Sequence, residues 1–319
     1  IQSGTLPTMD LAPGKSRAVT VPFTKPSTAP GAEYALTLRF SLLHDALWAK
    51  KGHEVAWEQF ILPWKAASPK IAVASMPELA VEESAVGATV RGKDFHLSLS
   101  ASEGTITSWM HDGVDLFVKG PMLDLWRGLT DNDLIALRPH DNAMGSRWKK
   151  VGLNRVKHTV TAFTVKRLDR HVVRLVVESS VGAEGIDAGF RCAYSYTVYG
   201  SGDVVLTTNV RPYGNLPPLP RIGLVMTLPG AFETLTWYGR GPHESYSDRK
   251  TGAAVGLYRG SVDAQLSPYV KPQESGNKTD VRWAALTNDG GGGMLVVGVP
   301  GEREPFLNVN AMHYTADDL

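Results

Sequence analysis

Cysteine is nearly absent: Cys192 is the single one in 319 residues. That excludes an intrachain disulfide and any zinc site built on several thiolates. Its setting, FRCAYSYTV, alternates apolar and polar side chains and offers no flanking base, so Cys192 reads as a packed strand thiol rather than a reactive one. Charge of one sign is lacking too. Lys and Arg number 33 against 32 Asp and Glu, a net charge of +1, which gives no electrostatic case for nucleic acid or an acidic membrane surface. No apolar run approaches the roughly 18 residues of a bilayer-crossing helix. The nine histidines never fall at HxH or HExxH spacing, so a histidine metal site is unsupported. A GxSxG elbow is missing, and Gly290–Gly293 reads as a turn because no Lys-Ser/Thr pair follows it. None of this chooses between cytoplasm and periplasm.

What is abundant is period-two alternation. Residues 1–65 carry RAVTVPF, EYALTLRFSLL and HEVAWEQFILP between Pro, Gly and Ser turns, which predicts about three strands of a partial Ig-like β-sandwich. Residues 66–78, rich in proline and small side chains, suit a linker. From residue 79 to 319 a longer series of alternating stretches follows, with short connections such as Gly200–Asp203, a hairpin signal. Only Asp131 to Lys150 is a candidate for helix. Many sequential strands without helices between them predict an all-β fold, with a large antiparallel sandwich after the first domain. Thr315 followed by Asp318 resembles a helix start close to the last residue, so the expectation is a segment of a longer chain.

Two places concentrate reactive side chains. WRGLTDNDL sets Asp131, Asn132 and Asp133 together behind Trp126. These could ligate a hard cation, but the glycine and distant glutamate of an EF-hand loop are missing, and a turn fixed by its own side chains is the plainer reading. The segment Trp237–Trp283 holds Trp237, Tyr238, Gly241, Pro242, Glu244, Tyr246, Asp248, Arg249, Tyr269, Pro272, Glu274 and Arg282. Rings beside carboxylates and guanidinium groups suit sugars, and two carboxylates about 5–9 Å apart would suit glycoside hydrolysis. The competing expectation is an ion-pair network of Glu244, Asp248, Arg249, Glu274 and Arg282 that pins glycine-rich turns.

TDND after Trp126 and Arg127, RIGL at 221–224, WYGRGPHESYSDR at 237–249 and SPYVKPQESGNKTDVRW at 267–283 together resemble the C-terminal part of a glycoside hydrolase family 2 β-galactosidase. LAPGKSRAVTVP, GAEYALTLRF and GHEVAWEQFILP are similar to the second Ig-like domain of those enzymes. The resemblance implies a galactose-mutarotase-like β-supersandwich beside a TIM barrel that this chain does not contain. It puts both catalytic glutamates and the main magnesium ligands in that barrel, so no catalytic or metal-ligating residue is expected here. The parent would use magnesium and a monovalent cation, take a β-galactoside through its barrel and assemble as a homo-oligomer. A loop within Leu134–Gly145 would help wall the active site, with Arg138, His140 and Asp141 beside Asp131, Asn132 and Asp133 as substrate-proximal residues. The sugar-stacking tryptophan of the family would follow Leu319. Two other functions remain in view: a carbohydrate-binding module using Trp237 and Tyr269 as its platform, and a mutarotase-like enzyme using His243 or His140.

Overall fold

A computed structural model of the protein describes residues 2–134, 143–299 and 306–319. The chain divides into two compact units, residues 1–71 and 72–319. In the first, β1 (Tyr34–Ser41) and β2 (Glu54–Leu62) pair antiparallel, with Tyr34 opposite Leu62 and a bulge after Phe40. Trp64, just past β2, gathers the rings of Phe23 and Tyr34 at centroid distances of 5.7 and 5.8 Å. Among the described residues two strands form here, not three. RAVTVPF joins no ladder: its residues are almost all exposed, so water satisfies its backbone, and Pro22 removes a donor that a strand would need.

The second unit is built from antiparallel meanders. β3 (Ala80–Ser84), β4 (Gly87–Arg91), β5 (Phe95–Ser100), β6 (Ile106–His111) and β7 (Val114–Asp115) lie side by side in chain order, while β8 (Lys119–Asp124) pairs instead with β13 (Gly223–Thr227). Between them in sequence, β9 (Lys157–Asp169), β10 (Val172–Gly182), β11 (Gly189–Tyr199) and β12 (Val204–Tyr213) form a second sheet in chain order. The expected hairpin closes it: Tyr199 N donates to Asp203 O at 2.9 Å, and Gly202 takes φ +91°, a left-handed value suited to glycine. In the third sheet β14 (Thr234–Gly241) sits between β15 (Ala254–Ser261) and β17 (Trp283–Thr287), and β18 (Gly293–Val297) flanks β17. β16 (Lys278–Val281) pairs with β19 (Leu307–Val309). Among the described residues, α-helix is confined to α1 (Asp131–Leu134) and α2 (Met144–Lys150), inside the one stretch expected to hold it. The protein is an all-β antiparallel sandwich.

Alternation explains the core. Phe95, Leu97 and Leu99 of β5 turn inward, as do Val173, Leu175 and Val177 of β10, and Phe190, Tyr194, Tyr196 and Val198 of β11 meet them in one cluster. Each fully buried Leu or Val contributes roughly 1.5–3 kcal/mol. Two tyrosines bring polar ends into this core and find partners: Tyr194 Oη accepts from Leu123 N at 3.2 Å, and Tyr196 Oη donates to Pro121 O at 3.4 Å. Burial pushes the Tyr196 hydroxyl up to about 12 and raises the Cys192 thiol as well, so Cys192 is the inert strand thiol the sequence suggested. A smaller core of Leu235, Trp237, Val281, Ala284 and Ala311 lies under the third sheet and carries the motif-rich segment.

Candidate functional site

The TDND turn is fixed by its own side chains. Thr130 precedes α1, and Asp133 reaches back so that its carboxylate accepts from Thr130 N and Thr130 Oγ1, both at 2.9 Å. Only the carboxylate half of a capping box is present, since Asp133 N donates to the main-chain oxygen of Thr130 at 3.0 Å. The same carboxylate pairs with Arg127 at 2.9 Å. Asp133 is buried, whereas Asp131 and Asn132 are exposed. A cation here would have to displace a guanidinium from Asp133, so these side chains do not fit a metal ion. Arg138, His140 and Asp141 lie outside the described residues.

Arg221 of RIGL joins two further motifs. Its guanidinium pairs with Asp124 at the end of β8 and lies 3.5 Å from Glu274. Burial raises the Glu274 carboxyl above the ordinary carboxylate range, while the charges of Arg221 and Arg127 pull against it. The backbone packs as closely. A Cβ at Gly128 would stand 2.9 Å from Glu274 N and 3.1 Å from Leu319 Cβ. WRG, RIGL and PQES are therefore one structural unit.

Glu244 is the most heavily bonded carboxylate of the segment. Its Oε1 accepts from Tyr269 Oη and Arg249 Nη2, both at 2.6 Å, and its Oε2 accepts from Gly276 N at 2.8 Å and Ser267 Oγ at 3.1 Å. Burial opposes its ionisation, yet these four donors outweigh burial and hold its pKa at about 2. Tyr246 sits nearby, its hydroxyl raised by burial and by the charges of Glu274 and Glu244. One carboxylate is thus depressed and the other raised, as in many acid–nucleophile pairs. Neither is presented to a ligand, since their side chains are only 11% and 9% exposed.

The rest of the segment is scaffold with a different membership from that expected. Trp237 is 2% exposed, its indole N–H donates to Arg240 O at 2.9 Å, and the buried Lys278 ammonium stands 5.2 Å from its ring. A sugar platform on Trp237 is therefore excluded by burial. Tyr269 is 39% exposed, but its hydroxyl is engaged by Glu244. Gly241–Pro242 is a cis peptide, Pro272 and His243 are exposed, and Asp248 is exposed rather than buried in an ion-pair network. Arg282 bonds a main-chain oxygen, Asp280 O at 2.6 Å, with its guanidinium 5.6 Å from the Tyr238 ring and 4.0 Å from the Phe306 ring. The place expected for Asp248 belongs to Asp280, which takes Arg240 at 2.5 Å and Lys250 at 2.8 Å. Sequence reasoning missed Asp280, Arg240, Lys250, Asp124 and Lys278. No sequence signal marks Asp280, which lies in β16 and adopts φ +51°, a conformation Asp tolerates better than most residues.

The embedded carboxylates Glu244 and Glu274 of this all-β domain are bonded or paired to the groups that hold its turns. A family model described as beta galactosidase small chain matches residues 91–319, and one described as beta-galactosidase, domain 4, matches residues 1–63. The chain belongs to the β-galactosidase small-chain family. A β-galactosidase of Priestia megaterium is 38% identical over 287 residues, covering 90% of this chain and 26% of that protein. One of Halalkalibacterium halodurans is 32% identical over 298 residues, with 90% and 27% covered. For one of Lactobacillus delbrueckii subsp. bulgaricus the identity is 29% over 312 residues, with 98% and 29% covered. The chain thus spans about a quarter of the length of the curated relatives it matches.

Proposed function

We propose that this chain is a non-catalytic portion of a β-galactosidase that hydrolyses terminal β-D-galactosides such as lactose, and that alone it hydrolyses nothing. Its part is to wall an active site built on a TIM barrel outside these residues. Residues up to about 65 act as an Ig-like spacer, and the barrel supplies both catalytic glutamates together with the sites for magnesium and a monovalent cation. The parent works as a homo-oligomer. The observation that carries this reading is the saturation of Glu244: four donors occupy both oxygens, so it has neither a proton to give near neutral pH nor a free oxygen for attack. The platform of a stand-alone carbohydrate-binding module loses support from the burial of Trp237.

The test is Glu244→Gln in the full-length parent. The expected variant melts at lower temperature and keeps its turnover per folded molecule. Unchanged melting with lost turnover would mean that Glu244 acts in the chemistry.

A further inference from the structure

Among the described residues β8 ladders only with β13, so main-chain pairing does not fix it to the sheet of β9 to β12. Side chains of that sheet do. Tyr194 Oη accepts from Leu123 N at 3.2 Å, Tyr196 Oη donates to Pro121 O at 3.4 Å, and the ring of His158, on β9, donates to the Leu123 carbonyl. Of the three, only His158 belongs to a residue type that changes charge between about pH 5 and 8. What β8 holds in turn is the motif region. Asp124, its last residue, pairs with Arg221 and accepts from Trp126 N at 3.1 Å, at the start of WRGLTDND.

A second proton on the His158 ring would find no acceptor. Its Nδ1 is buried without a hydrogen-bond partner among the described residues, and so is Ser179 Oγ. Both line one largely enclosed space, together with Met122, Val160, Val177 and Tyr194. Gly104, in the turn between β5 and β6, closes it: a Cβ there would stand 2.7 Å from Val160 Cγ2 and 2.9 Å from Val177 Cγ1. β10 and β11 present Ser179 and Tyr194 to this space, the Tyr194 hydroxyl raised by burial. The charged groups facing the ring are Lys119 and Asp124 of β8 and Glu103 of the turn. Lys119 opposes a positive ring, Asp124 is engaged by Arg221, and Glu103 is exposed to water. Burial first, and then Lys119, hold the ring's pKa below its ordinary 6.5. The neutral ring thus stabilises the fold above 6.5, and that contribution is lost as pH falls through the folded-state value.

We propose that His158 is an acid-operated latch: the neutral ring ties β8 and the WRGLTDND turn to the sheet, and protonation at Nδ1 turns the ring out to water and frees the Leu123 carbonyl. The latch is a property of this chain and goes beyond the proposed active-site role; only its consequence for turnover in the parent rests on that role.

Hydrogen–deuterium exchange of the 319-residue chain at about pH 5 and about pH 8, corrected for the intrinsic pH dependence of exchange, tests the latch. Peptides covering residues 117–134 should exchange about three- to tenfold faster at the acid end, the factor for one lost hydrogen bond, while those of β10 stay unchanged. His158→Gln is neutral at both ends and can donate to the same carbonyl, so it should abolish the difference. Ring-nitrogen NMR of the unaltered chain needs no variant and should find His158 titrating below 6.5. Equal exchange at both pH values would overturn the proposal, as would the same acceleration in His158→Gln. So would titration at or above 6.5, which would mean that Ser179 accepts the new N–H.

Discussion

The Tyr269 hydroxyl donates to Glu244 at 2.6 Å, joining two residues 25 apart in sequence, and the Gly276 N–H meets the other carboxylate oxygen at 2.8 Å. Two turn-rich stretches that carry the densest motifs of the chain are therefore held by one side chain. Removing its charge tests whether it is a clamp.

Glu244→Gln keeps the shape and loses charge-assisted bonds to Tyr269, Arg249, Ser267 and Gly276. Urea unfolding at neutral pH should show a loss of about 1.5–3 kcal/mol, the range for a hydrogen-bonded charged group. The pH dependence follows from the depressed pKa. Ionised Glu244 stabilises the fold above its ordinary value of 4.5, and that contribution fades as pH falls from there toward about 2. The variant should lack this acid limb.

Glu274→Gln should behave oppositely. The Glu274 carboxyl is raised by burial, so the fold favours its protonated form, and the stabilisation from that form is lost as pH rises through the folded-state pKa. A neutral amide of the same shape removes the burden. Melting temperature near pH 7 should hold or rise, in contrast with Glu244→Gln in the same buffer.

Gly128→Ala tests how tightly WRG seats on PQES. The added methyl would lie 2.9 Å from Glu274 N and 3.2 Å from Gln273 C, main-chain atoms that cannot rotate away. Overpacking of this kind typically costs about 1–3 kcal/mol. Differential scanning calorimetry should show lower melting for Gly128→Ala and little change for Gly223→Ala, whose Cβ would meet open space.

Trp237→Phe removes the indole donor to Arg240 O and some of the ring under Lys278. Since Trp237 is buried, galactose or lactose should neither quench nor shift its fluorescence in the parent chain, while the variant should lose about 1 kcal/mol or more of stability. Saturable quenching at millimolar sugar would restore the platform reading.

The all-β class and the antiparallel order were legible because a two-residue period and short turns determine them locally. β5, with Phe95, Leu97 and Leu99 inward, shows the pattern at its plainest. The helical exception between Asp131 and Lys150 was legible for the same reason. RAVTVPF was not, because alternation states a preference and a strand also needs a partner. In the motif segment, sequence pointed to the correct residues but not to their pairings. Arg240 and Asp280 are 40 positions apart and meet only through the third sheet, while Asp248, close to Arg249 in sequence, is exposed. The structural and the sugar-platform readings of Trp237 stayed open because nothing in a sequence tells which face of an aromatic-rich strand is covered; its burial removes the platform.

The central claim is that these residues shape an active site without supplying its chemistry. The direct measurement is hydrolysis of a nitrophenyl β-galactoside by the purified 319-residue chain, set against a buffer blank and the full-length parent. The account predicts release at the blank rate from the chain and turnover from the parent. Release above the blank that disappears in Glu244→Gln would contradict it.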